Sequence, residues 1–176
     1  MRAGRDVMEP SPDHLAILLP LGMAIAVTFC TVVIHALAMM PIVYFVHYEL
    51  RVGRAGVRFS KDVVIVAGAV LVALCVHLAA IATWALVLNL CGEFSRLAEA
   101  VYHSGLNYTT LGDSDAVMSP AWKLLVPLEG ANGMLMFGIS TATLFAVIQR
   151  LIQTRLSQPS SYDRRFNPNM NKRAKN

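Results

Sequence analysis

Three long apolar runs constrain this chain more than any other feature of its sequence. No Asp, Glu, Lys or Arg occurs in residues 14–48 or 63–92, and residues 124–149 contain a single acidic residue, Glu129. About 20 apolar residues suffice to cross a bilayer as a helix, which satisfies its backbone polar groups internally. The sequence therefore predicts an all-α integral membrane protein with three transmembrane helices. They are expected at residues 15–48, 63–92 and 124–150, with Pro41 bending or ending the first of them.

Basic residues in the connecting segments indicate how these helices are oriented. The loop at residues 49–62 contains four of them, and residues 150–176 contain seven against a single acidic residue, Asp163. Since Lys and Arg concentrate in cytoplasmic loops, we expect this loop and the basic tail at residues 151–176 to be cytoplasmic and residues 1–14 to be extracellular. The tail is too polar to bury a core, and anionic lipid headgroups attract each basic residue near the surface by about 1 kcal/mol.

A segment at residues 93–123 separates the second and third apolar runs. Residues 93–108 are predicted to form a short helix that, at about 1.5 Å per residue, reaches only part-way across a membrane. The sequence TTLGDSD that follows, at residues 109–115, is too polar to cross lipid as a helix. Non-helical backbone at membrane depth is tolerated only where protein or a water-filled cavity surrounds it. This combination predicts a re-entrant helix and loop, followed by an outer loop that ends at residue 123.

The sequence AVYHSGLNYTTLGDSD at residues 100–115 resembles the pore region of tetrameric potassium-type channels, whose signature is TTVGYGD. The matching residues are Thr109, Thr110, Leu111, Gly112 and Asp115, while Asp113 replaces the Tyr and Ser114 replaces the second Gly. The resemblance covers roughly residues 63–150 and leaves the first span outside it. It implies a homotetramer in the plasma (inner) membrane. Each subunit would contribute an outer helix, a pore helix with its filter, and an inner helix, at residues 63–92, 93–123 and 124–150.

The resemblance also implies that residues 109–115 form a selectivity filter, in which backbone carbonyl groups replace the hydration shell of a cation. The transported cations are expected at Thr110, Leu111, Gly112 and Asp113. Strict potassium selection in the family depends on the Tyr and the second Gly, and a non-glycine residue at positive φ costs about 1–2 kcal/mol. The replacements at Asp113 and Ser114 therefore predict weak discrimination between K⁺ and Na⁺, as in nonselective relatives.

Carboxylates at the mouth of such a filter add a second expectation. Rings of acidic side chains are common in cation channels, so four copies of Asp113 are expected to attract Ca²⁺ from outside, which would block the pore. Two roles stay open for Asp115: its carboxylate either braces the back of the filter or, in four copies, forms a second ring of negative charge at the mouth. No resident cofactor is expected beside the transported ions.

By the same resemblance, the third span lines the inner cavity and contains the gate. Gly133 aligns with a gating hinge and Thr141 with the cavity wall. Phe145 and Ile148 are the candidates for an apolar constriction that closes by dewetting. The glycines of this span could instead serve helix packing and not bending, because small residues let helices in membranes approach each other closely. We then expect Gly133 and Gly138 to face neighbouring inner helices.

His35, His77 and Glu129 are ionisable side chains that lie well inside the apolar runs. Such groups are functional candidates by default, so the two histidines either sense protons or are neutral and hydrogen-bonded to a neighbouring helix. Glu129 needs a partner, which the sequence does not name, and we interpret it as a brace for the filter. Asn107 and Tyr108 are expected to lie behind the filter and to supply hydrogen bonds there.

These features favour the pore-forming subunit of a homotetrameric monovalent cation channel that conducts K⁺ and Na⁺ passively. The alternative is a non-conducting membrane scaffold or regulatory subunit that retains the pore fold, although a scaffold has no physical need for Thr-Thr-Leu-Gly. An enzyme is not expected, because no nucleophile–base pair, metal-ligand spacing or phosphate-binding loop occurs. Nucleic acid is not expected as a partner either, because the basic residues lie in loops and the tail. Cys30, Cys75 and Cys91 have no C-x-x-C spacing, so neither a zinc site nor a disulfide framework is indicated.

Overall fold

Four helices make up the part of the chain that the computed structural model describes, which is residues 12–53, 55, 59–112 and 118–157, with side chains from residue 17 onward. In chain order they are α1 (Pro12–Arg51), α2 (Phe59–Leu90), α3 (Leu97–Tyr108) and α4 (Leu125–Leu156). The segments that are long and apolar enough to cross a membrane are Ile17–Arg51, Phe59–Leu90 and Leu125–Leu156. The described residues contain no β-strand, so the expected all-helical protein with three long apolar helices is confirmed.

The first helix does not end at Pro41. α1 continues through Pro41 to Arg51, although a proline inside a helix removes one backbone hydrogen bond. Ending the helix there would leave more backbone groups unpaired in apolar surroundings, where each one is costly. The longer helix therefore leaves fewer backbone groups without a hydrogen bond and has the lower free energy.

The short helix α3 begins at Leu97, four residues later than the predicted start at Glu93. The Glu93 carboxylate accepts hydrogen bonds from the backbone nitrogen of Ser119 at 2.8 Å and from its Oγ at 2.5 Å. Asn89 Nδ2 donates to the carbonyl oxygen of Phe94 at 2.7 Å. These side chains fix the turn between α2 and α3 and join it to the segment before α4, so Glu93 belongs to a turn and not to the helix.

The chain forms two packing units, of which the first comprises Met1–Ala38 and Leu74–Ile139. It contains α3 together with parts of α1, α2 and α4. The larger side chains buried in its core are Trp84, Leu88, Tyr108, Leu125 and Met136. Lipid is as apolar as these side chains, so the helices are held together by close van der Waals packing and interhelical hydrogen bonds rather than by exclusion of water.

The second unit comprises Met39–Ala73 and Ser140–Asn176, and it explains why α4 extends beyond the predicted end at residue 150. Leu151 is buried in a small core with Val46, Ala55 and Val147. One turn later, Arg155 Nη2 lies 2.6 Å from Asp62 Oδ2, and its guanidinium carbon lies 5.4 Å from the centre of the Phe59 ring. These contacts hold the last turns of α4 against the start of α2.

Candidate functional site

The helix α3 buries most of its polar side chains and exposes several apolar ones. Its buried residues are Ala100, His103, Ser104, Asn107 and Tyr108. Leu97, Val101 and Tyr102 are exposed, and Glu99 is the exposed acidic residue of the first turn. A helix at the surface of a soluble protein has the reverse pattern. The arrangement of α3 is the one expected of a short helix in apolar surroundings, whose polar groups must find partners inside the protein.

Glu129 of α4 lies at the centre of the polar contacts of α3. Its side chain is fully buried. Ser104 Oγ hydrogen bonds to Glu129 Oε1, and Asn107 Nδ2 donates to Glu129 Oε2 at 3.5 Å. The partners that the sequence left unnamed are therefore two residues one turn apart on α3. No described Lys or Arg forms an ion pair with Glu129.

The protons available to this cluster indicate that Glu129 is a neutral acid. Ser104 Oγ also lies 2.9 Å from the carbonyl oxygen of Ile81, which can only accept. A hydroxyl has one proton, so Ser104 cannot donate to Ile81 and to an ionised Glu129 at once. If Glu129 carries a proton and donates it to Ser104, both contacts are satisfied. A neutral carboxyl also avoids the large cost of a buried charge without a counter-ion.

Two glycines let α4 approach the end of α3 closely. A Cβ atom at Gly133 would lie 2.0 Å from the carbonyl oxygen of Tyr108, and one at Gly130 would lie 3.3 Å from the carbonyl oxygen of Asn107. Gly133 is therefore covered by α3 of its own chain, and the expectation that it faces a neighbouring inner helix is wrong. The reason is that only a residue without a side chain fits against the Tyr108 backbone. Around Gly138 the described part of the chain leaves open space.

The first residues of the predicted filter form a cap on the carboxyl end of α3. The backbone nitrogen of Leu111 donates to the carbonyl oxygen of Leu106 at 2.9 Å, and that of Thr110 donates to Asn107 at 2.9 Å. This pair of bonds is the Schellman motif, in which the residue after the cap adopts a left-handed conformation. Thr110 has φ 62°. Glycine is the usual residue there, and threonine stores strain of about 1–2 kcal/mol.

This cap uses the amide groups of the segment and leaves its carbonyl oxygens available. The backbone nitrogen of Gly112 donates to Leu106 at 3.2 Å, and Gly112 has φ 65°. Positive φ at Thr110 and Gly112 alternates with an ordinary φ at Leu111, as a row of inward carbonyl groups requires. Within the described residues, the carbonyl oxygens of these three residues accept no backbone hydrogen bond. Asp113, Ser114 and Asp115 lie outside the described residues.

The two membrane histidines have different partners. His77 Nδ1 lies 3.1 Å from Tyr108 Oη on α3, which agrees with a histidine bonded to a neighbouring helix. His35 Nδ1 lies 2.9 Å from the carbonyl oxygen of Thr31, one turn back in α1 itself. The two rings are 4.9 Å apart between their centres. The residues predicted behind the filter, Asn107 and Tyr108, are both buried, and they contact Glu129 and His77 respectively.

Thr141 of the predicted cavity and the gate candidates Phe145 and Ile148 lie in the second unit, on the last part of α4, whereas the predicted hinge Gly133 belongs to the first unit. Thr141 is exposed, and so are Phe145 and Ile148. Their side chains do not enter the core of Val46, Ala55, Val147 and Leu151 in the same unit. They are therefore available to face lipid, another subunit or an aqueous pore.

Sequence reasoning did not identify Ser104 as a partner of Glu129 or His77 as a partner of Tyr108. A usable signal was present for Ser104, because Ser104 and Asn107 are polar residues at helical spacing on an otherwise apolar short helix. No comparable signal existed for His77 and Tyr108, which are 31 residues apart in the chain. Their contact depends on how α2 and α3 pack.

A comparison with family models gives a match to one described as an ion channel family, over residues 62–150. This stretch is just over half of the chain, and it includes nearly all of α2, the whole of α3 and most of α4. α1 lies outside it. No curated protein and no solved structure gives a significant match.

Proposed function

The chain belongs to the ion channel family, and on this premise we propose that it is the pore-forming subunit of a homotetrameric monovalent cation channel. A single re-entrant loop cannot enclose a pore, whereas four copies around an axis can. The observation that carries the proposal is the Thr-Thr-Leu-Gly segment at the carboxyl end of α3, whose backbone carbonyl oxygens are free of backbone bonds in the described part of the chain.

The electrostatics of α3 favour a cation at this place. The carboxyl end of a helix carries a partial negative charge of about half an electron. Carbonyl groups of Thr110, Leu111 and Gly112 would add dipoles of the same sense when four subunits direct them at one axis. Because α4 is pressed against Tyr108 through Gly133, the start of the filter would be held in place by the inner helix of the same subunit.

We expect weak discrimination between K⁺ and Na⁺, because the outer filter sites lack the Tyr and Gly of the resembling signature. Asp113 would add four carboxylates at the mouth, where Ca²⁺ binds and blocks. The gate would lie on α4 at Phe145 and Ile148, with Thr141 on the cavity wall. The subunit would lie in the plasma (inner) membrane, with its carboxyl-terminal tail in the cytoplasm against anionic lipid.

The test is to measure both assembly and selectivity on purified protein. Native mass spectrometry should give four copies of the 19.2 kDa chain. In planar bilayers with Na⁺ on one side and K⁺ on the other, the reversal potential should lie near zero. Asp113→Asn should relieve external Ca²⁺ block because it removes charge and keeps shape, and Asp113→Tyr with Ser114→Gly should shift the reversal potential toward K⁺ selectivity.

Two results would contradict the proposal in different ways. A tetramer without ion current would favour the non-conducting scaffold. A wild-type channel that prefers K⁺ about a hundredfold, or by about 2.7 kcal/mol, would place selectivity in residues other than Asp113 and Ser114. Gly112→Val is the matched control for leak current. A second β-branched residue at positive φ, next to the one already strained at Thr110, would distort the filter and should abolish the current.

A further inference from the structure

The part of α1 in the first unit lies outside the residues that match the ion channel family, yet it is bonded to a helix inside them. Asn132 Nδ2 of α4 donates to Thr31 Oγ1 of α1 at 3.1 Å, and both side chains are buried. The Thr31 hydroxyl donates in turn to the carbonyl oxygen of Thr28 at 2.8 Å. This bond fixes α1 beside α4 one turn away from His35.

The geometry of His35 defines its tautomer. Its Nδ1 lies 2.9 Å from the carbonyl oxygen of Thr31, and since a carbonyl can only accept, Nδ1 carries a proton. The other ring nitrogen, Nε2, is buried without a partner among the described residues. A neutral His35 therefore presents a bare acceptor, and a second proton on this ring would have no described acceptor.

The ring of His77 lies between His35 and Tyr108. Its centre is 4.9 Å from that of His35 and 4.2 Å from that of Phe137, which stacks on it. His77 Nδ1 is 3.1 Å from Tyr108 Oη. The simplest arrangement has the Tyr108 hydroxyl donating to an unprotonated His77 Nδ1, because no other described group bonds to this buried hydroxyl.

Each element that packs on His77 contributes a different group to its surroundings. α1 contributes His35, α3 contributes the Tyr108 hydroxyl, and α4 contributes the uncharged ring of Phe137. Glu129 is the acidic group that acts electrostatically on Tyr108, and its contacts with Ser104 identify it as neutral. No described contact of the two histidine rings involves an ionised carboxylate, so a proton on either ring would be uncompensated.

We propose that α1 and the His35–His77 pair form an acid-sensitive latch on the base of the filter. His77 is the positioning residue: it accepts a hydrogen bond from the Tyr108 hydroxyl when neutral and donates one to the same oxygen when protonated. A proton on His77 Nδ1 turns the acceptor into a donor, so Tyr108 must accept and its own hydroxyl proton loses its acceptor. Because the rings of His35 and His77 are adjacent, positive charge on both rings at once would be repulsive.

The latch rests on the proposed channel function, because Tyr108 immediately precedes the filter. Its carbonyl oxygen faces Gly133 of α4 without room for a side chain, so Tyr108 cannot shift without moving either α4 or Thr109. Reversal of the bond to His77 leaves the Tyr108 hydroxyl proton without its acceptor, and the rearrangement that follows is expected to displace the start of the filter and to reduce the ion current. α1 would set the response, since it supplies His35.

The test is the pH dependence of current through the full-length protein in planar bilayers. Wild-type current should fall about fivefold between about pH 7.5 and about pH 5, the interval in which histidine changes charge. His77→Asn places an amide oxygen where Nδ1 lies and cannot be protonated. It should keep the current at neutral pH and lose the acid response. His77→Ala, which offers no acceptor, should show the low current at both pH values.

The matched control is His47→Asn. His47 Nδ1 also lies next to a backbone carbonyl one turn back, that of Val43, at 3.1 Å, but its side chain is exposed. Its variant should keep the wild-type acid response. An acid response that persists in His77→Asn, or that disappears in His47→Asn, overturns the latch.

A measurement without ion current separates this inference from the channel proposal. In lipid, ¹⁵N NMR of the labelled histidine rings should find His77 Nδ1 unprotonated at about pH 7.5 and protonated at about pH 5. Tyr108→Phe should shift the neutral Nδ1 resonance, because it removes the donor. A His77 Nδ1 that is protonated at neutral pH refutes the latch. If no current flows at any pH, the proposed channel function is refuted. The NMR result then decides by itself whether the His77–Tyr108 bond responds to acid.

Discussion

The side chain of Glu129 contacts two polar groups of α3, and these contacts depend on whether its carboxyl carries a proton. As a neutral acid it donates to Ser104 and accepts from Asn107, and Ser104 remains free to donate to Ile81. As a carboxylate it would compete with Ile81 for the single Ser104 proton. At the scale of a single residue, Glu129 thus holds the middle of α3 against α4 by hydrogen bonds and not by charge.

The neutral state of Glu129 predicts how two substitutions differ. Glu129→Gln should leave thermal stability in detergent nearly unchanged, because its amide donates to Ser104 and its oxygen accepts from Asn107. Glu129→Ala should destabilise the protein by about 1–3 kcal/mol for each polar group left unpaired. The measurement is the thermal unfolding midpoint of each purified variant. If Glu129→Gln proves as damaging as Glu129→Ala, the wild-type carboxyl is ionised.

At the scale of elements, the junction between α3 and α4 decides where the filter segment lies. α4 approaches the backbone of Tyr108 so closely that a Cβ at Gly133 has no room, while Glu129 bonds to α3 one turn earlier along α4. Together with the Schellman cap, these contacts hold the carboxyl end of α3 on three sides. The position of Thr109 thus follows from α4 as much as from α3 itself.

This junction predicts opposite effects for two alanine substitutions in the same helix. Gly133→Ala should destabilise the protein by about 3 kcal/mol, at the upper end of the cost of overpacking, because the added methyl group meets backbone. Gly138→Ala has open space in the described part of the chain and should stabilise α4 by up to about 1 kcal/mol through helix propensity. Unfolding midpoints and the yield of assembled protein measure both. Equal effects of the two substitutions would argue against the close contact at Tyr108.

The number, type and approximate length of the membrane helices could be predicted, because charge-free runs longer than a bilayer is thick leave few alternatives. The partners of Glu129 and His77 could not be predicted, because they depend on which faces of α2, α3 and α4 meet. The backbone strain expected at Ser114 stays a prediction, because Ser114 lies outside the described residues, and the positive φ at Thr110 was not predicted. The types of residue in this segment do not reveal that a Schellman cap ends α3 and places Thr110 in the left-handed conformation.

At the scale of the whole molecule, α1 is an addition to the two-helix pore unit. It lies outside the ion channel match, yet it hydrogen bonds to α4 and places a histidine ring against α2. In membranes such interhelical hydrogen bonds are worth about 0.6–2 kcal/mol each, so α1 is joined to the pore helices by specific polar contacts as well as by packing. If the three long helices all cross the membrane, as we expect, the start of α1 and the end of α4 lie on opposite sides of it.

The native cysteines determine how this orientation can be measured by labelling. Cys30 and Cys75 lie within spans and Cys91 follows α2. Burial raises the pKa of the Cys91 thiol, and the nearby Glu93 carboxylate raises it further. Little thiolate therefore forms at neutral pH, and since the thiolate is the reactive species, background labelling should be slow. Replacing all three cysteines by serine removes the background entirely.

In that cysteine-free protein, cysteines at Ala121 and Ser157 should react with a membrane-impermeant maleimide from opposite sides of intact cells. Both positions are exposed, the first in the segment before α4 and the second directly after it. The basic residues of the loop at residues 49–62 and of the tail predict that the second position is cytoplasmic. Ala121→Cys should therefore react in intact cells, and Ser157→Cys only after permeabilisation. The filter segment, which lies between α3 and Ala121, would then open to the outside. The reverse pattern would invert the orientation, and labelling of both positions in intact cells would mean that α4 does not cross the membrane.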